Sequence, residues 1–168
     1  YDDALRMVDQ NLYEFFSLLK QQGRYDNALI IVTADHGEEL NDHGGYGHVS
    51  VYEEVCHVPL LIKFPDEAFA GTRFTPQVES TDLFATILDV IGVPEEPVRD
   101  GTSLLKVLKG EAPPRAHTHI VREEQYASRT NDLKLIHRRG QSETPYELYS
   151  LVQDPKEQEN LLPARETD

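Results

Sequence analysis

Basic residues are scarce in this chain, apolar runs are short, and cysteine occurs once. Sixteen Lys and Arg face thirty Asp and Glu among 168 residues, a formal net charge of −14. That balance argues against nucleic acid as a main partner. The acid is scattered over expected helix faces and loops, where solubility is its plain reading. A single cysteine, Cys56, excludes an internal disulfide framework and leaves the redox compartment open. No apolar run approaches the roughly 20 residues of a membrane span. The chain starts at Tyr1 inside a helical pattern, with neither an initiator Met nor a signal peptide. Such an abrupt start is expected of a fragment. There is no internal repeat and no low-complexity segment.

The patterning that is present is of the α/β kind. Leu5, Val8, Leu12, Phe15 and Leu19 recur at alternating spacings of three and four, which predicts a helix from Asp2 or Asp3 to Gln21 with one buried face. Gly23 is its stop. The run Ala28-Leu29-Ile30-Ile31-Val32 is β-branched and too short for a helix, so it reads as a strand buried on both faces of a largely parallel sheet. Val58 to Phe64 is a second strand, with Pro59 suited to its first residue or to an edge. A loop from Pro65 to Pro76 follows. A helix capped by Ser80 or Thr81, with Leu83, Ile87, Leu88 and Ile91 on it, ends at Gly92. Arg99 to Ser103 is a turn, and Leu104 to Leu108 a short helix stopped by Gly110. Pro113-Pro114 marks an expected boundary between an α/β layer, residues 1–112, and a small antiparallel subdomain, residues 113–168. In the latter, His119–Arg122, Leu133–His137 and Glu147–Ser150 read as strands. A polar, helix-like stretch runs from Asp154-Pro155 to Leu162.

Chemistry concentrates where the first strand ends. Ligands of open α/β sheets bind at the carboxyl ends of the strands, and Asp35 and His36 stand there. Adjacent residues point to opposite faces of a strand, but in a turn both can reach one ion. Carboxylates suit calcium, magnesium or manganese, and imidazole admits zinc and manganese. Two ligands do not suffice. Glu38, Glu39 and Asp42 are near, without EF-hand spacing. Asp-His-Gly after a strand is by itself equally a turn opening with an acid. The glycine-rich run Asp42-His43-Gly44-Gly45-Tyr46-Gly47-His48 adds two imidazoles on a backbone that can approach a ligand closely. Three histidines in so short a span point to a site. Plain readings hold elsewhere: Cys56 is a small packing residue, His117 and His119 share a solvated strand face, Arg138 and Arg139 pair with the acidic body, and Asp9 and Glu14 are solvated.

These residues carry a resemblance. Thr33-Ala34-Asp35-His36-Gly37-Glu38, Gly47-His48, Tyr52-Glu53-Glu54 and Val58-Pro59-Leu60-Leu61-Ile62 together resemble the C-terminal half of a sulfatase of the alkaline phosphatase superfamily. Upstream, Val8-Asp9, Leu19 and Tyr25 to Ile30 are similar to the same family. So, downstream, are Asp82 to Leu88, Asp100 to Leu104, Asn131 to Ile136 and Glu147 to Leu151, then Asp154-Pro155, Glu157 and Asn160-Leu161. Nearly the whole chain is covered in order.

The resemblance implies the C-terminal part of an alkaline-phosphatase-like α/β sandwich with a small antiparallel tail. It implies a divalent metal, calcium in the first place with magnesium, manganese or zinc as alternatives, held by Asp35, His36 and two acids of an N-terminal segment. His48 stands four residues before Tyr52, where sulfatases often carry a lysine. An imidazole with a pKa near ~6.5 can stabilise charge or protonate a leaving group, so His48 is the expected catalytic residue, and His43 is a candidate substrate contact. His57, where the family often has Arg, is expected to brace Glu53 or Glu54. Val55-Cys56-His57-Val58-Pro59 does not fit the family's nucleophile motif, Cys or Ser followed by Pro and Arg at alternate positions. The implied activity is hydrolysis of a small-molecule or glycan sulfate ester by a longer protein, with this portion inactive alone. A phosphonate or phosphodiester hydrolase or a phosphoethanolamine transferase is the first alternative, and a binding domain with a vestigial site the second. Oligomeric state, localisation and natural substrate stay open.

Overall fold

A computed structural model describes residues 1–94, 100–140 and 145–162. Arg99 of the expected turn lies outside them. Two compact units emerge: Tyr1–Val32 with Leu61–Arg73, and Thr33–Leu60 with Phe74–Asp168.

In the first unit, helix α1 spans Asp2–Gln21, with Asp2 and Asp3 in its first turn and Lys20 in its last. Those charges complement the helix dipole at both ends. Gly23, at φ +64, lets the chain leave the helix. Strand β1 (Ile30–Thr33) pairs with β4 (Leu60–Lys63) in a two-stranded sheet. Lys63 Nζ donates to the carbonyls of Asp26, at 2.8 Å, and Ala28, at 3.2 Å, tying β4 to the lead-in of β1. Two expectations need correction. The apolar stripe of α1 contains no buried residue, and Leu5, Val8 and Phe15 stay exposed. Strand β1 is half-buried, not buried on both faces. The reason is size: two four-residue strands cannot cover a helix about 30 Å long.

The second unit opens with strand β2 (Glu39–Leu40), antiparallel to β3 (Tyr46–Gly47). The short helix α2 (Glu53–Cys56), α3 (Ser80–Val90) and α4 (Leu104–Lys109) follow. Strands β5 (Thr118–Arg122), β6 (Gln125–Arg129), β7 (Leu133–Arg138) and β8 (Tyr146–Ser150) then form an antiparallel sheet in sequence order. One face of that sheet buries Ala127, Ile136 and Tyr149 against Val51, with Tyr52, Cys56 and Ile120 packed around them. Strand β6 has no apolar alternation in its sequence and was not expected. The stretch after Pro155 is not helical. Glu157 takes a left-handed φ of 54, and Leu161 N donates to Leu148 O at 2.8 Å, so the segment follows the sheet.

Helix α3 is capped by Glu79 rather than Ser80 or Thr81, in a reciprocal capping box with Asp82. Its buried residues are Asp82, Ala85 and Thr86. The carboxylate of Asp82 accepts from Glu79 N at 2.8 Å, Thr102 N at 2.7 Å and Arg115 Nη2 at 2.6 Å. Thr86 Oγ1 accepts from Leu104 N at 2.9 Å, which fixes α4. The Arg115–Asp82 bond, and His119 N to Glu79 Oε1 at 2.9 Å, cross Pro113-Pro114. The tail sheet shares a compact unit with α3 and α4. Replacing Asp82 by Ala orphans two backbone N–H groups and leaves the Arg115 guanidinium only Glu79 as a carboxylate partner, at an expected cost of about 3 kcal/mol. Thermal unfolding of the full-length protein checks this; an unchanged Tm contradicts it.

Candidate functional site

Beyond Thr33, the last residue of β1, the chain leaves the pleat and docks on α2. Gly37 N donates to Val55 O at 2.7 Å and Glu38 N to Glu54 O at 3.0 Å. A Cβ on Gly37 would run into the Glu54 carbonyl, so this approach requires glycine. Hairpin pairing then sets the next two groups. Glu39 lies opposite Gly47 in the β2–β3 register, which brings the preceding Glu38 beside the following His48. Gly44 (φ +79) and Gly47 (φ +102) supply the backbone angles for that reversal.

The result is a half-exposed cluster of donors. Asp35 Oδ2 lies 3.8 Å from His36 Nε2, and Asp35 Oδ1 accepts from His36 N at 3.1 Å. His36 Nδ1 is 2.9 Å from Gly37 O. A carbonyl only accepts, so Nδ1 is the donor, and in the neutral ring Nε2 is then the nitrogen with the lone pair, the arrangement of a metal-binding imidazole. The His48 ring stacks on His36 at 4.0 Å and 20°. Its Nδ1 is 3.5 Å from Glu38 Oε2. One ligand atom each from His36, Glu38 and His48 falls within 4.8 Å of the others. Imidazole and carboxylate donors so placed fit a divalent cation. His36 and His48 are thus brought together, Glu38, close in sequence but without an assigned role, joins them, and Asp35 stands beside His36 alone.

His43 is placed differently. Its Nδ1 meets Glu54 Oε1 at 2.6 Å, its Nε2 meets Glu157 O at 2.9 Å, and its ring stacks on Tyr52 at 3.6 Å. Both ring nitrogens are engaged inside the fold, so His43 braces α2 and offers no ring nitrogen to a substrate. Burial alone would lower its pKa, but the Glu157 carbonyl and the Glu54 carboxylate outweigh burial and raise it. His57 braces Glu53, its Nδ1 3.3 Å from Oε2. Burial raises the Cys56 thiol to about 11, as suits a packing residue with no role as a nucleophile.

Behind α2 lies an ion cluster that the sequence pattern did not reveal. Arg129 grips Glu53 in a fork, Nε to Oε1 at 2.9 Å and Nη2 to Oε2 at 2.9 Å. Lys134 Nζ, wholly buried, lies 3.1 Å from Glu53 Oε1 and 3.1 Å from Glu157 Oε1. Glu157 Oε2 accepts from Glu53 N at 2.6 Å, at the start of α2. Burial pushes the Glu53 carboxyl up, yet His57, Arg129 and Lys134 together hold it well below the usual range. In Glu157 burial wins over Lys134, and its pKa is raised.

Comparison with known proteins agrees with this reading of the fold. The family described as Sulfatase matches residues 1–93. Among curated proteins, N-acetylglucosamine-6-O-sulfatase of Bacteroides thetaiotaomicron is 31% identical over 92% of this chain and 30% of its own length. Arylsulfatase K of Bos taurus is 33% identical over 92% of this chain and 31% of its own. Among solved structures, one in complex with its substrate D-glucosamine-2-N,6-O-disulfate superposes with a TM-score of 0.76 at 29% identity, covering 94% of this chain and 34% of that one. Phosphonate monoester hydrolase of Agrobacterium radiobacter gives 0.79 at 28% identity, covering 92% and 34%. The chain is the C-terminal part of an alkaline-phosphatase-like α/β fold. It belongs to the sulfatase family, and it spans about three-tenths of the length of the curated relatives it matches.

The His43 brace has a pH signature. A raised folded-state pKa means that its stabilisation is complete below the unfolded value and fades as pH rises through the folded one. The gap in Tm between the full-length protein and its His43→Gln variant is expected to be wider at about pH 5.5 than at about pH 9. A gap independent of pH contradicts the brace.

Proposed function

We propose that the full-length protein hydrolyses sulfate esters, of small molecules or glycans, at a divalent metal held partly by Asp35 and His36. The observation that carries this reading is the His36 side chain, whose Nδ1 is committed to Gly37 O while Nε2 turns toward the Asp35 carboxylate. Family membership and the names of the relatives support the reaction class. When bound, such an ion polarises the ester oxygens and orients the attacking group. Calcium is the first candidate, and the His36 imidazole admits manganese or zinc in the same seat.

The other residues of the site handle charge. Glu38 faces Nδ1 of His48, which leaves Nε2 as the working nitrogen. In its imidazolium form His48 neutralises ester oxygens, and it gives its Nε2 proton to the departing oxygen. Neutral, it does neither. General acid catalysis of this kind is worth about 100-fold or more. The glycan part of the proposal rests on the relatives named for N-acetylglucosamine-6-O-sulfate and D-glucosamine-2-N,6-O-disulfate.

A second reading, hydrolysis of phosphonate esters, is favoured by the TM-score of 0.79 to phosphonate monoester hydrolase. Phosphoryl and sulfuryl transfer both rest on positioning and charge neutralisation, so this site serves either. Relative turnover of an aryl sulfate and a phenyl phosphonate ester separates the two.

Elemental analysis of the full-length protein tests the site. Asp35→Ala and His36→Ala are expected to lose the divalent ion. His48→Ala is expected to lower aryl sulfate turnover by about 100-fold. Unchanged metal content in both of the first two variants, or wild-type turnover in the third, overturns the assignment.

A further inference from the structure

The buried ion cluster behind α2 sits on the route between the tail sheet and the donor loop. Gly37 and Glu38 hang on the carbonyls of Val55 and Glu54, so the loop stands wherever α2 stands. Helix α2 is a single turn and cannot hold itself in place. Three anchors hold it: the Arg129 fork on Glu53, the Glu157 carboxylate on Glu53 N, and His43 between Glu54 and the Glu157 carbonyl. Two of the three run through Glu157, which has left the regular backbone with a φ of 54. Lys134, on β7, reaches both Glu53 and Glu157. Two carboxylates and two cations balance the cluster, and removing one cation leaves a buried charge uncompensated.

We propose that Lys134 is a positioning residue for the metal site: by clamping Glu157 against Glu53 it fixes α2, and through α2 the backbone seat of Asp35 and His36. The proposal rests on the reading that those two residues hold the metal. A remote support of this kind acts as outer-shell partners do, whose loss typically lowers metal affinity 10- to 100-fold. Removing Lys134 leaves the sheet core of Ala127, Ile136 and Tyr149 in place, so the damage is expected to be local.

The test compares the full-length protein with its Lys134→Met variant in two arms. Without metal, amide hydrogen exchange is followed at Gly37 and Glu38, with the amides of β5–β8 as the internal reference. With Mn2+ added, affinity and the electron paramagnetic resonance spectrum of the bound ion are recorded. Expected are faster exchange at Gly37 and Glu38 with the sheet still protected, about tenfold weaker Mn2+ binding, and an altered spectrum. Unchanged loop exchange and unchanged Mn2+ binding in a folded variant overturn the proposal. Where Lys134→Met does not fold, Glu157→Gln carries the same readouts, because it keeps an acceptor for Glu53 N but removes the charge that Lys134 clamps. If the unaltered protein binds no Mn2+, the metal reading fails by itself, and the exchange arm still decides whether Lys134 positions the loop.

Discussion

Two backbone hydrogen bonds decide where the chemistry of this chain stands. They join Gly37 and Glu38 to the carbonyls of Val55 and Glu54, at a separation that excludes any side chain at residue 37. Backbone contacts of this kind are stiff, so the loop stands wherever α2 stands. Asp35 and His36 lie just before them, Glu38 within them, and the β2–β3 pairing carries His48 back to the same place. Site geometry thus comes from main-chain docking, and the side chains supply the chemistry.

An acidic protein has to manage acids it buries, and the second unit pairs several of them. Asp82 is held by Arg115, Glu147 by Arg138, and Glu53 with Glu157 by Arg129 and Lys134. Breaking such a pair costs far more than the pair contributes in sum, because one charge is left stranded away from water. The clusters therefore specify arrangement more than they add stability. Two tie elements far apart in sequence, α3 to the start of the tail and α2 to β6 and β7; the Arg138–Glu147 pair ties β7 to its neighbour β8.

Much of this was legible in the sequence. Alternating three- and four-residue spacing marked α1, β-branched runs marked β1 and β4, and a strand followed by Asp-His-Gly and a glycine-rich run marked the candidate donor cluster. The illegible parts share a cause: tertiary context outweighed local pattern. In β7, Leu133 and Leu135 face outward while Lys134 and Ile136 are buried, the reverse of what polarity predicts for Leu and Lys. Only a pair of distant carboxylates makes a buried lysine acceptable there. Glu157 sits in a segment that reads as a polar helix, yet its left-handed backbone and buried carboxylate serve α2. Helix α1 shows the converse. Its apolar stripe is a sound helix signal, but periodicity cannot say what covers a face. His43 belonged by sequence to the site cluster, and only its partners show that it faces inward.

Glu38 illustrates the limit of spacing arguments. An acid two residues after His36 has no ligand signature of its own, and the hairpin register alone sets it against His48. The most direct measurement of the central claim is divalent-metal affinity in the full-length Gly37→Ala protein, with hydrogen exchange as the check on folding. If main-chain docking places the donors, this one methyl group lifts the loop off α2 and metal binding is lost with Asp35 and His36 both intact. Metal affinity equal to that of the unaltered protein would show that the donors find the ion without the dock.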